Sequence, residues 1–562
     1  MIFHDSHDFN YRKPFGACPV GTDIELRITA DMADGVRLHV IDDCDNDTVY
    51  EMQRDGDCSF RAVIKAEHSG LLWYFFDVYY PGEDHCFYGN NPDLMGGAGS
   101  EYGEWPKPYQ ITVYEKTETP SWYKDGIMYQ IFPDRFARGS DFEEREEAAQ
   151  RHITDDWYST PVYIKNNAGE ITDWVFYGGT LRGIEEKIPY LKELGVKTIY
   201  LNPVFEARSN HRYDTADYMH IDPLLGTDED FERLCSALHE NGMRLMIDGV
   251  FSHVGSKSIY FREDSPYYEW FDKNEDGSQK YWWGVKDLPE INETNPSFVD
   301  YICGNEGVLH KWITKGADGV RLDVADELPD SFIVEVRKRV KEEKNDGVVL
   351  GEVWEDASNK ISHGEKRKYL MGSELDSIMN YPLRSILIDF ALENIDTHIF
   401  NRRIMSLMEN YPKEIFYSCM NLISSHDRRR ILTVLYDSEE GTEMLYKLMF
   451  ALPGVPCIYY GDEAGLKGLA DPENRAAYPW GRENENMLSF FKELTSEYGS
   501  HSALRGGDLT LLELDRDIAA FTRADENERI LVLANRCEEE KKVTFEDKEF
   551  AVTPLTTVYI GI

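Results

Sequence analysis

The stretch DGVRLDVADELP, residues 318–329, places two charged side chains in a run that otherwise has the composition of a buried strand. Arg321 and Asp323 alternate with the apolar residues Val320 and Leu322. Side chains two positions apart on a strand point to the same face of the sheet. Charges inside a protein are costly unless they are paired, hydrogen-bonded or used. The stretch therefore predicts a strand that delivers a charged pair to a defined place.

Segments with the character of strands and helices alternate through the middle of the chain. Apolar, strand-like segments begin near residues 126, 197, 243, 319, 347, 377, 415 and 455, and sequence of helical character follows each of them. This alternation predicts a parallel sheet covered by helices, and eight such units predict an α/β fold, the (β/α)₈ or TIM barrel. The residues after the third strand, about 253–304, are too many for an ordinary connection and predict an inserted subdomain.

Both ends of the chain are rich in short strands. Alternating patterns between turn signals predict a β-sandwich before the barrel and a second one after it. We therefore expect an N-terminal β-sandwich at 1–118, the barrel at 119–501 and a C-terminal β-sandwich at 502–562.

The composition narrows the range of partners. The 562 residues include 60 Lys and Arg against 103 Asp and Glu, a formal net charge of −43. Such a surface repels polyphosphates, which argues against nucleic acid and anionic membranes as partners. No segment approaches the roughly 20 apolar residues of a membrane span, and no signal-peptide pattern is present, so we expect a cytoplasmic protein. The 9 cysteines include no CxxC pair, which favours reduced thiols over a disulfide framework or a zinc site.

Ionisable residues collect where the predicted strands end. In a (β/α)₈ barrel the active site lies at the C-terminal ends of the strands. Five strands end in such residues or run into them: His211, Tyr213 and Asp214 after the second, Asp248 and His253 at the third, Arg321 and Asp323 on the fourth, Glu352 at the fifth, and His426 and Asp427 after the seventh. We expect these side chains to meet at one mouth of the barrel.

Three acids at one mouth, Asp323, Glu352 and Asp427, indicate glycoside chemistry. A retaining glycosidase places a nucleophilic carboxylate and a proton-donating carboxylic acid about 5–5.5 Å apart. Neighbouring strands lie about 4.8 Å apart, so Asp323 and Glu352 would face each other. Arg321 would hold Asp323 ionised, whereas burial near Trp354 and the partner acids would raise the pKa of Glu352. A merely structural Arg–Asp pair is the alternative, and the other two acids on the rim favour catalysis.

Four short motifs carry a resemblance to a known family. The stretches DGVFSH (248–253), GVRLDVADE (319–327), GEVWE (351–355) and NLISSHD (421–427) resemble, in order, the four conserved regions of the α-amylase family, glycoside hydrolase family thirteen. The resemblance implies that Asp323 is the nucleophile, Glu352 the acid/base and Asp427 a third carboxylate that stabilises the transition state. It also implies a set of substrate-binding residues: His211, Tyr213, Asp248, His253, Arg321, Trp354, His426, Asp471 and Arg475.

Within the family the chain is most similar to the neopullulanase and cyclomaltodextrinase group. The stretch YDTADYMHIDPLLGT (213–227) resembles the second-strand loop of that group, and Val324-Ala325 resembles members that cut both α-1,4 and α-1,6 links. The stretch LPEIN (288–292) departs from the group's Met-Pro-Lys-Leu-Asn motif, so an amylopullulanase-like enzyme fits equally well.

The function implied is a retaining α-glucan hydrolase acting on maltooligosaccharides, pullulan, cyclodextrins or starch fragments. An α-glucanotransferase that uses the same residues with a sugar acceptor stays open, and so does a non-catalytic glucan-binding relative. The N-terminal sandwich would bind carbohydrate or form a homodimer. We expect core packing for most of the aromatic residues at 71–80.

No organic cofactor is implied. Ser252 stands where many family members have a calcium-binding asparagine, which puts that particular site in doubt. The stretches DPENRAA (471–477) and FDKNEDGSQ (271–279) are acidic and turn-like enough to hold Ca²⁺, and no metal ligand can be named.

Overall fold

The computed structural model describes residues 1–82, 85–149, 151–169 and 171–562, with the backbone alone for 146–149. Its centre is an eight-stranded parallel barrel, with each strand beside its neighbours in chain order and the eighth beside the first. A parallel bridge between Met379 and Met420 joins the sixth strand to the seventh and closes the sheet. The strands are β1 (Met128–Ile131), β2 (Thr198–Leu201), β3 (Arg244–Gly249), β4 (Gly319–Leu322), β5 (Val348–Gly351), β6 (Ser377–Ile378), β7 (Met420–Asn421) and β8 (Val455–Tyr459).

The predicted barrel is confirmed, and seven of the strands begin within two residues of the predicted starts. The seventh strand was predicted from 415, and this is wrong: Lys413–Phe416 is a short helix and β7 begins at Met420. Pro412 precedes the helix, and the N–H of Ile415 donates to its carbonyl at 3.0 Å. Proline favours the start of a helix, which explains why this apolar stretch does not begin as a strand.

The interior of the barrel is filled by large apolar side chains. Met128, Tyr200, Met246, Val348 and Met420, each from a different strand, form one buried cluster. A barrel of this size is a packed core rather than a channel, so its polar residues gather at the strand ends.

The segment 181–195 illustrates how one local residue divides a helical stretch in two. It forms two helices, Leu181–Glu186 and Ile188–Glu193, which meet at Lys187. Pro189 lies in the first turn of the second helix, where its missing N–H cannot continue the hydrogen bonds of the first helix. The other helices among the described residues are Ser121–Lys124, Pro133–Phe136, Phe142–Ala149, Asp228–Glu240, Pro296–Cys303, Val308–Thr314, Asp330–Glu343, Tyr381–Ala391, Thr397–Asn410, Ile431–Val434, Glu439–Ala451, Glu485–Ser500 and Ser502–Gly506.

The insert after β3 is largely irregular. It contains the 3₁₀ turns Tyr268–Trp270 and Trp282–Gly284, and it packs around a group of aromatic rings. The ring of Tyr260 lies 5.4 Å from that of Trp270. Two further hairpins border the barrel strands, Tyr163–Lys165 with Ile171–Trp174 and Phe205–Ala207 with Thr215–Ile221.

The chain divides into two compact units. The first unit comprises Met1–Glu118 together with Glu355–Asp376 and His398–Phe416, and the second comprises Thr119–Trp354, Ser377–Thr397 and Tyr417–Ile562. Two segments inside the range predicted for the barrel therefore pack with the N-terminal sheets. The boundaries at 118/119 and 501/502 stay predictions.

The first unit is built on two sheets that share one apolar core, in which Leu26, Leu38, Phe76 and Ile111 are buried. Short strands run through this region, as predicted. The strands are Ile2–Phe3, Arg12–Lys13, Asp23–Ala30, Gln53–Arg54 and Ser59–Lys65 in one sheet, and Cys18–Pro19, Gly35–Ile41, Asp47–Glu51, Gly70–Tyr79, His85–Gly89, Ser100–Tyr102 and Tyr109–Tyr114 in the other, with the small hairpin Ile361–Ser362 and Glu365–Lys366.

One face of the second sheet explains why the later segments belong to the first unit. Gln110 donates to Oγ of Ser358 at 3.0 Å, Thr112 donates to the carbonyl of Asn410 at 2.7 Å, and Tyr114 donates to Glu414 at 2.7 Å. Polar side chains at alternate positions of one strand thus bind chain segments far along the sequence.

The end of the second unit is a β domain, as predicted. Asp508–Asp515, Ile518–Ala524, Arg529–Asn535 and Thr556–Gly561 form a four-stranded sheet, and Lys541–Phe545 pairs with Lys548–Val552. All 9 cysteines are free thiols. No helix in the described ranges has both the length and the apolar character needed to cross a bilayer.

The helix Asp228–Glu240 offers a test of local stability. Oγ1 of Thr227 accepts from the N–H of Asp230 at 3.2 Å, and the Asp230 carboxylate accepts from the N–H of Thr227 at 2.8 Å. We expect Thr227→Ala to cost about 1 kcal/mol and to speed hydrogen exchange in the first turn roughly fivefold. Exchange followed by mass spectrometry measures this. The control Ser236→Ala, on the exposed face of the same helix, should leave that turn unchanged, and equal exchange in both variants would contradict the capping role.

Candidate active site

A single guanidinium, that of Arg321, contacts three carboxylates. Its Nη1 donates to Oδ1 of Asp248 and to Oδ1 of Asp323, each at 2.7 Å. Its Nη2 lies 2.8 Å from Oε2 of Glu352. Arg321 is wholly buried, and Asp323 and Glu352 are 6% and 2% exposed. Charged residues predicted on three separate strands are thus brought together around one cation.

The register of the sheet explains this meeting. Asp248 on β3 is the direct neighbour of Arg321 on β4. Asp323 and Glu352 are the first residues beyond the ends of β4 and β5. The N–H of Asp323 donates to the carbonyl of Gly249 at 3.1 Å, so the ladder continues past the strand. The C-terminal ends of three adjacent strands therefore hold the cluster.

The backbone is strained directly after Asp323. Val324 has a φ of +39°, in the left-handed region that β-branched residues rarely adopt. In this conformation its N–H donates to Oε2 of Glu352 at 2.9 Å. The strained residue thus fixes the Glu352 carboxyl group against the loop that carries Asp323.

Each of these two acids keeps one oxygen for a ligand. Oδ1 of Asp323 and Oε2 of Glu352 make the contacts with Arg321 and Val324. Among the described residues, none hydrogen-bonds Oδ2 of Asp323 or Oε1 of Glu352. The arrangement therefore leaves one oxygen of each acid available to react.

Burial raises the pKa values of both acids. It raises the pKa of Glu352 to about 7, the charges of Asp427 and Asp248 add to the effect, and Arg321 opposes it. Burial also raises the pKa of Asp323 well above its usual range, with Glu352, Asp248 and Asp427 adding and Arg321 opposing. The prediction for Glu352 thus has the right direction. Arg321 acts to lower the pKa of Asp323, as expected, but burial and the three neighbouring acids outweigh it, so the ionised state of Asp323 stays a prediction.

Arg321 contacts the two acids in different ways. Arg321 donates a well-directed hydrogen bond to Asp323. Its Nη2 makes no hydrogen bond of good geometry, although it lies close to Glu352. A hydrogen bond from a guanidinium stabilises the anion that accepts it. The Arg321 hydrogen bond therefore favours the anion of Asp323, whereas the N–H of Val324 is the one directed donor to Glu352, whose pKa burial raises to about 7.

Asp427 completes the acids of the mouth. Nε2 of His426 lies 3.1 Å from its Oδ2, and Nη2 of Arg475 lies 3.3 Å from its Oδ1. Burial alone would raise the pKa of Asp427, but His426, Arg475 and Arg321 together lower it below its ordinary value. Its side chain is 29% exposed. The mouth thus contains one carboxylate that is both ionised and accessible.

The protonation of His426 is set by a residue of β1. Burial lowers the pKa of His426 to about 3, so the imidazole is neutral. Its Nδ1 lies 2.8 Å from Nε2 of Gln130, an amide whose orientation is fixed because it also donates to Asn202. Nδ1 is therefore the acceptor and Nε2 carries the hydrogen. That nitrogen lies 2.6 Å from the hydroxyl of Tyr213.

Aromatic rings line the same mouth. The Tyr213 ring lies parallel to that of His426, with centroids 5.4 Å apart, and 6.0 Å from that of His211. The Tyr213 hydroxyl donates to Oδ2 of Asp248 at 2.9 Å, which ties the row of rings to the buried cluster.

His253 presents an unpaired nitrogen. Burial lowers its pKa to about 4, and its Nδ1 lies 2.9 Å from Oγ of Ser252. Its Nε2 is buried and has no hydrogen-bond partner among the described residues. A buried polar atom of this kind is costly unless a ligand satisfies it.

The remaining predicted residues adjoin the mouth. Arg475 contacts Oδ1 of Asp471 at 3.0 Å and donates to the carbonyl of His426 at 2.9 Å. Trp354 stacks on Tyr381, with ring centroids 4.3 Å apart. The structure therefore brings all twelve predicted site residues into one connected region of the second unit.

Sequence reasoning missed several residues of this region. The signal that identified the acids, a polar residue near the end of an apolar strand, could also have identified Gln130 and Asn202. Tyr200 donates to Oδ2 of Asp248 at 2.7 Å, and the guanidinium of Arg428 lies 4.0 Å from the Trp354 ring. No sequence signal distinguishes Tyr200 from a core residue of β2.

Two tryptophans of the insert, Trp282 and Trp283, are hydrogen-bonded to the loop after Asp323. The indole N–H groups of Trp282 and Trp283 both donate to the carboxylate of Glu327, each at 2.6 Å. The Trp282 ring lies 4.8 Å from that of His253, and Trp283 is 80% exposed. Glu327 was not predicted as a site residue, and its spacing from Asp323 alone carries no such signal.

Acidic side chains in the two stretches that could hold Ca²⁺ contact basic residues. The carboxylate of Asp471 is engaged by Arg475, and Lys280 lies 3.6 Å from Asp272. Over the described part of the chain, no group of three or more His, Cys, Asp or Glu side chains is arranged to hold a metal ion. Calcium binding stays a prediction.

Comparisons with known proteins give the class of this site. Residues 130–505 match the family model described as the alpha amylase catalytic domain. The amylopullulanase of Thermoanaerobacter thermohydrosulfuricus is 35% identical over 92% of this chain and 40% of its own length. The cyclomaltodextrinase of Geobacillus thermopakistaniensis strain MAS1 is 35% identical over 76% of this chain and 71% of its own length.

A solved structure extends the match to the whole fold. The type III pullulan hydrolase from Thermococcus kodakarensis aligns with a TM-score of 0.71 at 26% identity, covering 100% of both chains. The chain therefore belongs to the α-amylase family, as the four motifs indicated. It spans less than half of the amylopullulanase that it matches, 40% of that protein's length.

The raised pKa of Glu352 has a consequence for stability. A carboxyl group whose pKa is about 7 in the folded chain and about 4.3 when unfolded stabilises the fold at low pH, and this contribution is lost as the pH rises through 7. Glu352→Gln should therefore gain stability over the parent between pH 5 and pH 8, on the order of 3 kcal/mol. Scanning calorimetry at both pH values measures the difference.

The matched control for this measurement is Glu538→Gln, which replaces an exposed glutamate. Its stability difference from the parent should not change between the two pH values. A flat difference for Glu352→Gln as well would show that the carboxyl group titrates normally.

Proposed function

We propose that the chain is a retaining α-glucan hydrolase. Its substrates would be maltooligosaccharides, pullulan, cyclodextrins or starch fragments, cut at α-1,4 and α-1,6 links. One observation carries the proposal: Asp323 and Glu352 contact the same Arg321 guanidinium at the C-terminal mouth of the barrel. Two carboxyl groups with opposite protonation, held side by side, are what retaining glycoside hydrolysis requires.

The first step forms a bond between the enzyme and the sugar. Oδ2 of Asp323 attacks the anomeric carbon, the bond to the leaving glycosidic oxygen breaks, and the proton on Oε1 of Glu352 moves to that oxygen. Arg321 keeps its hydrogen bond to Oδ1 of Asp323, so the attacking group stays aimed. The fixed N–H of Val324 holds the other oxygen of Glu352 and leaves Oε1 directed at the substrate.

The second step regenerates the enzyme. Glu352, now a carboxylate, takes a proton from water, the water oxygen bonds to the anomeric carbon, and Asp323 leaves as the anion. The proton taken from water leaves Glu352 as the neutral acid again, the form that burial favours. The two inversions return the sugar to its original α configuration.

The other side chains would bind the sugar on which this occurs. The ionised Asp427 can accept two hydroxyl hydrogens of the sugar beside the scissile bond. His253 and His426 are neutral, so they can exchange hydrogen bonds with hydroxyls at no cost in charge. The flat ring of Tyr213 offers an apolar surface to the face of a pyranose.

A glucanotransferase would use the same residues with a sugar hydroxyl in place of water. Products longer than the starting oligosaccharide at low substrate concentration would favour that reaction. Similarity to an amylopullulanase, a cyclomaltodextrinase and a pullulan hydrolase supports this range of substrates. We also propose a homodimer through the first unit, and a sedimentation mass of one 65.0 kDa chain would count against it.

Replacement of Asp323 tests the proposal directly. Asp323→Asn keeps the shape of the side chain but removes the nucleophile, so turnover of maltotriose should fall by about 10⁴-fold or more. Calorimetric binding of the same sugar should persist, because the aromatic row and Asp427 are intact. The control Asp276→Asn, an exposed acid of the insert, should keep full turnover. Unchanged turnover in Asp323→Asn would overturn the assignment.

A further inference from the structure

A cavity of about 660 Å³ opens beside the row of aromatic rings at the mouth of the barrel. Four segments of the second unit line it: the hairpin strand Ile171–Trp174, the loop that carries Arg208 and His211, the residues just after β3, and the insert near Lys286. Its volume falls within the range of about 300–1,000 Å³ that small-molecule sites have. The two chemical steps of the proposed reaction involve none of its lining residues.

Three basic side chains line this cavity, and none of them has an acidic partner. Arg208, Lys257 and Lys286 form no ion pair with any described residue. The acids of the described lining are Asp214 and Asp287. Cations therefore outnumber acids here, although the whole chain has 60 basic against 103 acidic residues. The cavity is a local exception to the negative charge of the molecule.

Hydrogen bonds between neighbours of the two lysines hold both lysines at one edge of the cavity. The N–H of Ser256 donates to the carbonyl of Asp287 at 2.8 Å, and Oγ of Ser256 donates to Oδ1 of Asp287 at 3.1 Å. Lys257 follows Ser256 in the chain, and Lys286 precedes Asp287. Two like charges anchored this close repel each other, and an anion bound between them removes that repulsion.

The third cation is held by the hairpin strand Ile171–Trp174. The Arg208 guanidinium lies 5.2 Å from the centre of the Trp174 ring, and its Nη2 donates to the carbonyl of Thr172 at 3.1 Å. These contacts orient the planar group and leave its other N–H donors without a partner among the described residues. A guanidinium held in this way can bind a phosphate group through two parallel hydrogen bonds.

The other titratable groups of the lining leave this positive charge largely uncancelled. The carboxylate of Asp214 is buried and accepts from the N–H and the hydroxyl of Ser209. Burial raises the pKa of Asp214 to about 6, and the hydrogen bonds from Ser209 oppose the shift. His211 is neutral, because burial lowers its pKa well below the ordinary value. Asp287 is the one exposed acid of the described lining.

Apolar side chains form much of the remaining wall. Trp174 belongs to it, and Ile171 and Val285 are 38% and 44% exposed. The ring of His211, also part of the lining, lies 6.0 Å from that of Tyr213, in the row of rings proposed to bind sugar. An apolar wall suits the face of a pyranose better than it suits a bare inorganic anion. The cavity thus offers room for a sugar ring and cations for an anionic group attached to that ring.

We propose that this cavity binds a phosphate monoester carried by a glucosyl unit, so that phosphorylated α-glucan fragments are among the substrates. Phosphate suits three cations better than a carboxylate does, because it carries a charge of about −1.5 to −2 at pH 7 and offers three acceptor oxygens. The net charge of −43 disfavours a long polyanion such as a nucleic acid. The phosphate class follows from the cavity, whereas its glucosyl carrier rests on the proposed function.

Calorimetric titration of the full-length Asp323→Asn variant tests this inference. Maltose 6′-phosphate and maltose differ only in the phosphate group, so the ratio of their dissociation constants isolates its contribution. We expect the phosphorylated sugar to bind about tenfold more tightly, and the ratio to shrink as salt is added. Adding Lys257→Gln and Lys286→Gln together should reduce the ratio to within about twofold, because two of the three cations are lost.

The matched control combines Lys116→Gln with Lys548→Gln, which makes the same change in net charge at exposed positions. Its ratio should stay near the tenfold value. Glucose 6-phosphate distinguishes a free sugar phosphate from a phosphorylated chain. It should bind in a manner that depends on the two lysines, and at least tenfold more weakly than maltose 6′-phosphate, because it lacks the second glucosyl unit that reaches the aromatic row.

Three results would overturn the inference. They are a ratio near one in the Asp323→Asn background, a ratio that survives the loss of both lysines, and an equal fall in the control, which would show a general effect of net charge. Glucose 6-phosphate that binds as tightly as maltose 6′-phosphate would contradict a glucan carrier. Failure of the proposed function looks different: Asp323→Asn would retain turnover of maltotriose, whatever the ratio is.

Discussion

The central interaction of the second unit is the burial of one positive charge among several negative ones. Arg321 is wholly buried and touches Asp248, Asp323 and Glu352, so its charge is compensated only while these acids lie beside it. Breaking such a pair from one side is strongly destabilising. The barrel therefore has to bring the ends of β3, β4 and β5 together. The strained backbone at Val324 is a local energetic cost of this arrangement.

Three acids share one guanidinium, and this excess of acids allows two similar carboxyl groups, those of Asp323 and Glu352, to take different roles in the proposed reaction. If every carboxylate had its own cation, all would be ionised and none could donate a proton near neutral pH. Here a shared Arg321 favours the anion on Asp323 through a directed hydrogen bond, and burial leaves Glu352 with a pKa of about 7. His426 and Arg475 lower the pKa of Asp427, and its charge adds to the raised pKa values of the other two acids.

Site residues that lie where a strand ends can be predicted from the sequence. Features that depend on one local residue, or on a contact between distant segments, cannot. Asp323 and Glu352 were predictable because the ends of parallel strands meet at one edge. The start of β7 was not, because the helix after Pro412 overrides an apolar pattern that reads as a strand. The direction of the Asp323 pKa depends on how many acids surround it, which only the structure shows. The hydrogen bond from Thr112 to the carbonyl of Asn410 joins residues 298 positions apart, so no local pattern could reveal it.

The most direct measurement is to trap the bond that the account requires. Glu352→Gln, treated with a 5-fluoro glycosyl fluoride whose leaving group needs no proton, should accumulate a covalent glycosyl-enzyme. Digestion and mass spectrometry should place the added sugar on the peptide that contains Asp323, and on that carboxylate. An adduct on Asp427 or on Asp248, or a substrate consumed with inversion and no adduct, would contradict the claim that Asp323 attacks while Glu352 serves as the acid.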